Sequence, residues 1–158
     1  MAKSRVRDED LGYEKMRRNM KDLSEISVLV GIQDGSSAPN GQATIAEYGV
    51  YNEMGTKRIP SRPFMRKSFD EKVEILRQAI AKLIPAVQDG RVPPEQAGGL
   101  IGELHQGHIQ DTIRSNMAPA NSPATVARKG SSRTLQDQGN LVQAIRWVIE
   151  RGRRGSAD

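Results

Sequence analysis

The side chains best suited to chemistry are two histidines three residues apart. On a helix, His105 and His108 would occupy neighbouring positions of one turn. A zinc site usually needs three or four protein ligands, and Glu103 lies two residues before His105, where it would point elsewhere. The chain has no cysteine, which excludes disulfides, thiol nucleophiles and Cys-ligated zinc. We therefore predict polar or helix-interface histidines, with no metal site, no cofactor and no catalytic residue.

A group of three glycines is the second candidate. Gly98, Gly99 and Gly102 would suit a phosphate-binding loop only after a strand and before a Lys-Ser or Lys-Thr pair. The sequence offers neither feature. We expect these glycines to let another backbone approach closely.

Positive charge is the third feature. The chain carries 24 Lys and Arg against 19 Asp and Glu, a net charge of +5. With one Trp, three Tyr and two Phe, it lacks the aromatic residues on which nucleic-acid bases stack. Non-specific contact with phosphate needs only Lys and Arg, so such contact and a cationic surface for an acidic protein both stay open.

The length of 158 residues is typical of one domain. We predict a charged N-terminal arm or helix over 1–25, a single α+β domain over 26–150 and a basic tail over 151–158. No apolar run could span a bilayer, and the N-terminus MAKSRVRDED lacks the apolar run of a signal peptide. We expect no membrane association and a chain that stays in the cytosol.

Apolar periodicity predicts the elements of the α+β domain. The segments ISVLVGI from Ile26 and IRWVI from Ile145 alternate as half-buried strands do, which predicts a small mixed or antiparallel sheet. Thr44 and Glu47 have capping-box spacing and begin a short helix that Gly55 can end.

Two long amphipathic helices should pack on this sheet. One begins at Phe64, and the other is opened by Pro93 and Pro94. Asp137 is expected to cap a last short helix. The stripe of the first long helix should be core, and it comprises Phe64, Phe69, Val73, Leu76, Ile80, Leu83 and Val87.

Two segments between the helices have no clear periodicity. In the turn 52–64, the prolines at 60 and 63 restrict the backbone to extended conformations. Residues 115–134 form a predicted loop that is longer than compact domains usually carry without a functional reason. A rigid turn of this kind suits an interface, and it equally suits a stiff connector that aims the long helix.

Several short motifs occur in the same order along this chain as in one known protein family. The first group is Val30-Gly31-Ile32, Ile45-Ala46, Asn52-Glu53-Met54-Gly55-Thr56, Ile59-Pro60 and Arg62-Pro63-Phe64-Met65. The second is Pro123, Thr125, Arg128-Lys129, Leu135, Gly139-Asn140-Leu141-Val142 and Ile145. Over 28–149 the chain resembles the tail-completion, or neck, proteins of long-tailed bacteriophages, which are related to minor tail protein Z.

The resemblance implies a structural virion protein without enzymatic activity. It implies a homo-oligomeric ring, with six copies expected, at the neck or top of the tail, assembled in the host cytoplasm. The expected partners are the head connector or adaptor and the tail-tube or tail-terminator proteins, with non-specific contact to packaged DNA. The alternatives are a tail-terminator ring and, outside this class, a basic protein that binds nucleic acid non-specifically.

The turn 52–64 and the loop 115–134 are predicted to form the assembly surface. The charged contacts would be Arg62, Arg128 and Lys129. Phe64 would anchor the first turn of the first long helix. The full predicted set is Asn52, Glu53, Gly55, Thr56, Arg62, Phe64, Arg128 and Lys129.

Overall fold

The structure, a computed structural model, describes residues 10–33, 44–135 and 139–152. These ranges hold six helices and two strands, so the predicted α+β class is confirmed. None of these helices is long and apolar enough to cross a membrane. In chain order the elements are α1 (Tyr13–Ser24), β1 (Ile26–Ile32), α2 (Ile45–Met54), α3 (Phe64–Gln88), α4 (Pro94–Arg114), α5 (Pro123–Lys129), α6 (Asn140–Ala144) and β2 (Ile145–Arg151).

The two strands pair antiparallel, with Ile26 opposite Arg151 and Ile32 opposite Ile145. Both predicted strands are therefore confirmed. Side chains alternate between the two faces of the sheet: Val28 faces α4, where it lies near Gly98, and Leu29 lies on the outer face, where it is exposed. Because a two-stranded sheet is marginal alone, the packing of α4 against both strands is what stabilises it.

α3 and α4 pack side by side, and α1 packs against both. α3 lies on the side of β1, because Ile80 and Ile84 line an apolar cleft together with Ile26 and Val28.

The prediction that the whole apolar stripe of α3 is core is wrong in part. Phe69 is 49% exposed although its ring meets His105 of α4, and Ile80 is 42% exposed where it lines the cleft beside β1.

The three glycines of α4 explain how closely this helix lies on the sheet. A β-carbon on Gly102 would stand 2.7 Å from Cγ of Trp147, and one on Gly99 would stand 3.2 Å from the same indole. The prediction that another backbone approaches these glycines is wrong. The neighbours are side chains of β1 and β2, and the single Trp of the chain occupies the space that larger residues would fill.

The main core lies where α3, α4, α6 and the strands meet. The predicted loop 115–134 contains α5, so it is not a structureless loop, and both Met117 and Thr134 are buried in it. Gly139 holds the N-cap position of α6. Asp137, the predicted cap, lies outside the described residues, as do most of the basic tail and 1–9. The core cluster consists of Phe64, Ile109, Ile113, Met117, Leu135, Leu141, Val142 and Ile145.

Candidate assembly site

The short helix α2 begins as predicted, with a capping box. The Thr44 hydroxyl accepts a hydrogen bond from the Glu47 amide, and the Glu47 carboxylate accepts one from the Thr44 amide at 2.7 Å. These hydrogen bonds lower the pKa of Glu47. The helix ends at Gly55, whose φ of 79° is in the region that favours glycine.

A carboxylate of α2 caps the long helix α3. Pro63 at the N-cap position of α3 has no side chain that can accept a hydrogen bond. The Glu53 carboxylate supplies this acceptor, because the amides of Met65 and Arg66 donate to it at 2.9 and 3.1 Å. The negative charge also lies at the positive end of the helix dipole. Glu53 therefore fixes α3 relative to α2.

The backbone of the turn 52–64 is held from both sides. The Arg62 amide donates to the carbonyl of Asn52 at 2.6 Å, and the Ser61 hydroxyl donates to the carbonyl of Glu53. The Thr56 amide donates to the carbonyl of Ile59. These bonds satisfy main-chain groups that a free turn would leave to water, so the chain itself holds the turn in one conformation.

Arg62 joins the turn to the loop 115–134. Its side chain is buried, with the residue only 5% exposed. Its Nε donates to the carbonyl of Pro119 at 2.9 Å, and its Nη2 lies 3.4 Å from the carbonyl of Ala120 and 3.3 Å from Oδ1 of Asn121. In the described part of the chain, no carboxylate pairs with it. Carbonyl oxygens therefore solvate this guanidinium and position the loop.

Hydrogen bonds of two asparagines and a threonine also hold the loop in place. Asn121 donates to the carbonyl of Arg133 at 3.0 Å. Oδ1 of Asn116 accepts the amide of Thr134 at 2.8 Å, and the buried Thr134 hydroxyl donates to the carbonyl of Met117. Sequence reasoning missed Asn116, Asn121 and Thr134. The only signal for them was their polarity in a segment poor in apolar residues.

The predicted interface residues separate into two groups. Asn52, Glu53, Arg62 and Phe64 are buried within the chain, so these four side chains hold the turn together, and Arg62 is an internal contact in this structure. The others lie at or near the surface, and they are Gly55, Thr56, Arg128 and Lys129. The structure thus brings the turn and the loop together at Arg62.

The outer face of α2 carries an apolar row that the sequence analysis did not single out. Val50 is 57% exposed, Tyr51 42% and Met54 67%. The opposite face of the same helix buries Gly49, and it also holds Asn52, whose amide donates to the carbonyl of Tyr48. Three exposed apolar side chains on one face of a fixed helix make this face a candidate for contact with another protein.

The two histidines pack between α3 and α4. The His105 ring meets Phe69 edge to face, with ring centroids 6.0 Å apart, and the two imidazole centroids are 6.4 Å apart. Burial and the neighbouring imidazole lower the pKa of His105. Burial and Lys72 lower the pKa of His108, against an opposing effect of Asp111. The described residues contain no cluster of three or more His, Asp or Glu that would hold a metal ion.

Comparison with known proteins gives no further assignment. The chain matches no protein-family model, no curated protein and no solved structure. The resemblance to the phage neck proteins therefore stays a prediction from the motifs quoted above.

Proposed function

We propose that this chain is a structural protein of a phage or prophage particle that acts by assembly at the neck and not by catalysis. In this proposal it forms a ring that joins the connector of the DNA-filled head to the tail. The motifs that resemble the neck family support the location. The observation that carries the role in assembly is the apolar row Val50, Tyr51 and Met54 on the outer face of α2.

This row is well placed for docking because the helix beneath it is fixed at both ends. Its first turn is closed by the capping box at Thr44. Its last turn is tied to α3 through Glu53 and to the following turn through Ser61. Binding to a surface that is already ordered costs less conformational entropy, because α2 does not have to be ordered when the partner binds. Tyr51 brings a large apolar area at a small entropic cost, as aromatic interface residues do.

Charge near the loop gives a second contact of different character. Arg128 is exposed at the end of α5, and Lys129 donates to the carbonyl of Arg133. Both cations lie in the last turn of that helix. An acidic face of the connector or the phosphates of passing DNA would each suit this charge.

The location is tested by removing the gene from the phage or prophage that encodes the chain and imaging the particles that form. A head–tail joining protein predicts filled heads and separate tails of normal length. Separate tails of abnormal length would instead support the tail-terminator ring. Normal infectious particles would contradict both assignments.

The surface is tested by complementation with variants. Tyr51→Ser with Met54→Ser should leave the protein folded and reduce infectious yield, because the apolar contact is lost. Leu100→Ser on α4 removes a similarly exposed apolar side chain and is the matched control. Full yield from the α2 variant would exclude this row from assembly.

A further inference from the structure

Among the described residues, one edge of the strand β2 has no strand partner. One of its edges pairs with β1 along its full length. Within the described ranges, its other edge meets no further strand, and the guanidinium of Arg146 donates only to the carbonyl of Ile145. An edge without a strand partner is a template for another strand. β2 contains no proline, which would block such pairing.

The sequence of β2 is complementary to itself in antiparallel pairing. With Val148 opposite its own copy, Arg146 lies opposite Glu150 of the second copy, and Glu150 lies opposite its Arg146. Trp147 then lies opposite Ile149. The two-fold pairing therefore forms two cross-strand ion pairs on the outer face and apolar pairs on the inner face, and both kinds of pair stabilise sheets.

A second copy paired at this edge would bring the helix layers of the two copies together. Because α4 packs over both strands and neighbouring strands lie about 4.8 Å apart, pairing through β2 would set the two α4 helices about 10 Å apart, close to the usual distance between packed helices. The half-buried indole of Trp147, which lies against Gly99 and Gly102, would be covered there. At the β1 edge, Ile80 and Ile84 place α3 beside β1, so a second α4 brought to that edge would meet α3.

We propose that the free chain pairs with a second copy through the β2 edges and forms a continuous four-stranded sheet, in the order β1, β2, β2 and β1. The contact is isologous and closes at two copies, so it does not itself build a ring. It gives the form that the chain adopts before incorporation into a particle, and it does not depend on the neck assignment.

A charge-swap series measured by light scattering over a concentration range tests the pairing. Arg146→Glu alone places like charges opposite each other twice, and so does Glu150→Arg. Each should raise the dissociation constant of the dimer about tenfold or more. The double variant restores opposite charges and should restore the dimer. Arg77→Glu reverses an exposed cation on α3 and should change nothing.

Single cysteines test the register, since the chain has none of its own. Val148→Cys places two thiols across the two-fold axis and should give a covalent dimer on oxidation. Leu29→Cys lies opposite Val148 in the sheet and should stay monomeric under the same conditions. Three results would overturn the proposal. The first is a wild-type chain that is still a monomer at about 100 µM, a concentration at which a specific dimer should form. The others are a double charge swap that fails to restore the dimer, and cross-linking by Leu29→Cys alone.

Discussion

Replacing Glu53 by alanine tests whether one carboxylate on α2 holds the start of α3. The change removes the acceptor for the amides of Met65 and Arg66. Because Glu53 is buried, water does not replace the acceptor easily. Loss of a capping side chain costs about 0.5–2 kcal/mol, and hydrogen bonds to a charged group contribute about 1.5–3 kcal/mol. We expect a loss of about 2–4 kcal/mol in the free energy of unfolding.

The ion pair between Glu53 and Arg66 adds little to this loss. The Arg66 side chain is largely exposed, and ion pairs with an exposed partner contribute about 0–1 kcal/mol. Glu53→Gln keeps the shape and one oxygen acceptor but loses the charge, so its cost should be about half that of alanine, on the order of 1–2 kcal/mol.

Urea unfolding followed by circular dichroism measures these changes in the free energy of unfolding. The slope of that free energy against urea concentration should stay unchanged, which indicates that unfolding remains two-state. Glu14→Ala removes an exposed carboxylate that pairs with Arg17 and is the control, with an expected cost below about 0.5 kcal/mol. If Glu53→Ala costs no more than this control, the capping role is wrong.

Three further predictions concern stability, and each is measured by thermal or urea unfolding. Phe64 is fully buried, so Phe64→Ala should cost about 3–5 kcal/mol; a cost under 1 kcal/mol, on the order of a surface change, would contradict this. Gly102→Ala should destabilise the chain by about 1–3 kcal/mol through overpacking, whereas Gly107→Ala, with open space around it, should be neutral or stabilising. Folding holds the pKa of His105 and of His108 below the ordinary 6.5, so the unfolded chain binds more protons and stability should fall as the pH drops below 6.5. The double variant His105→Gln, His108→Gln should lose most of that pH dependence, and its metal content should equal that of the wild type. Stoichiometric zinc in the wild type that the variant lacks would refute the prediction that these histidines bind no metal.

Local patterns predicted the elements that depend on near neighbours in the chain. The capping box at Thr44, the end of α2 at Gly55 and the start of α4 after Pro93 require only residues a few positions apart. The alternation of both strands is local in the same sense. These features follow from side-chain spacing and from the conformations that glycine and proline allow.

The polar contacts of the candidate site could not be predicted in this way. Arg62 was expected at an outer surface, yet its partners lie at 119–121, and only the packing of α3 on α4 brings them within reach. The exposure of Phe69 and Ile80 has a similar cause. Periodicity identifies the apolar face of a helix, but the width of that face that is covered depends on the neighbouring elements.

The pairing of β1 with β2 has a consequence for biosynthesis. The two strands lie near opposite ends of the described chain, so β1 leaves the ribosome long before Arg151, its last partner residue, has been made. During that interval α3 and α4 can already pack, because contacts close in sequence form first. Meanwhile β1 has no charged residue and no proline, the devices that protect unpaired strands from aggregation. The nascent chain should therefore be most vulnerable to aggregation just before β2 is complete.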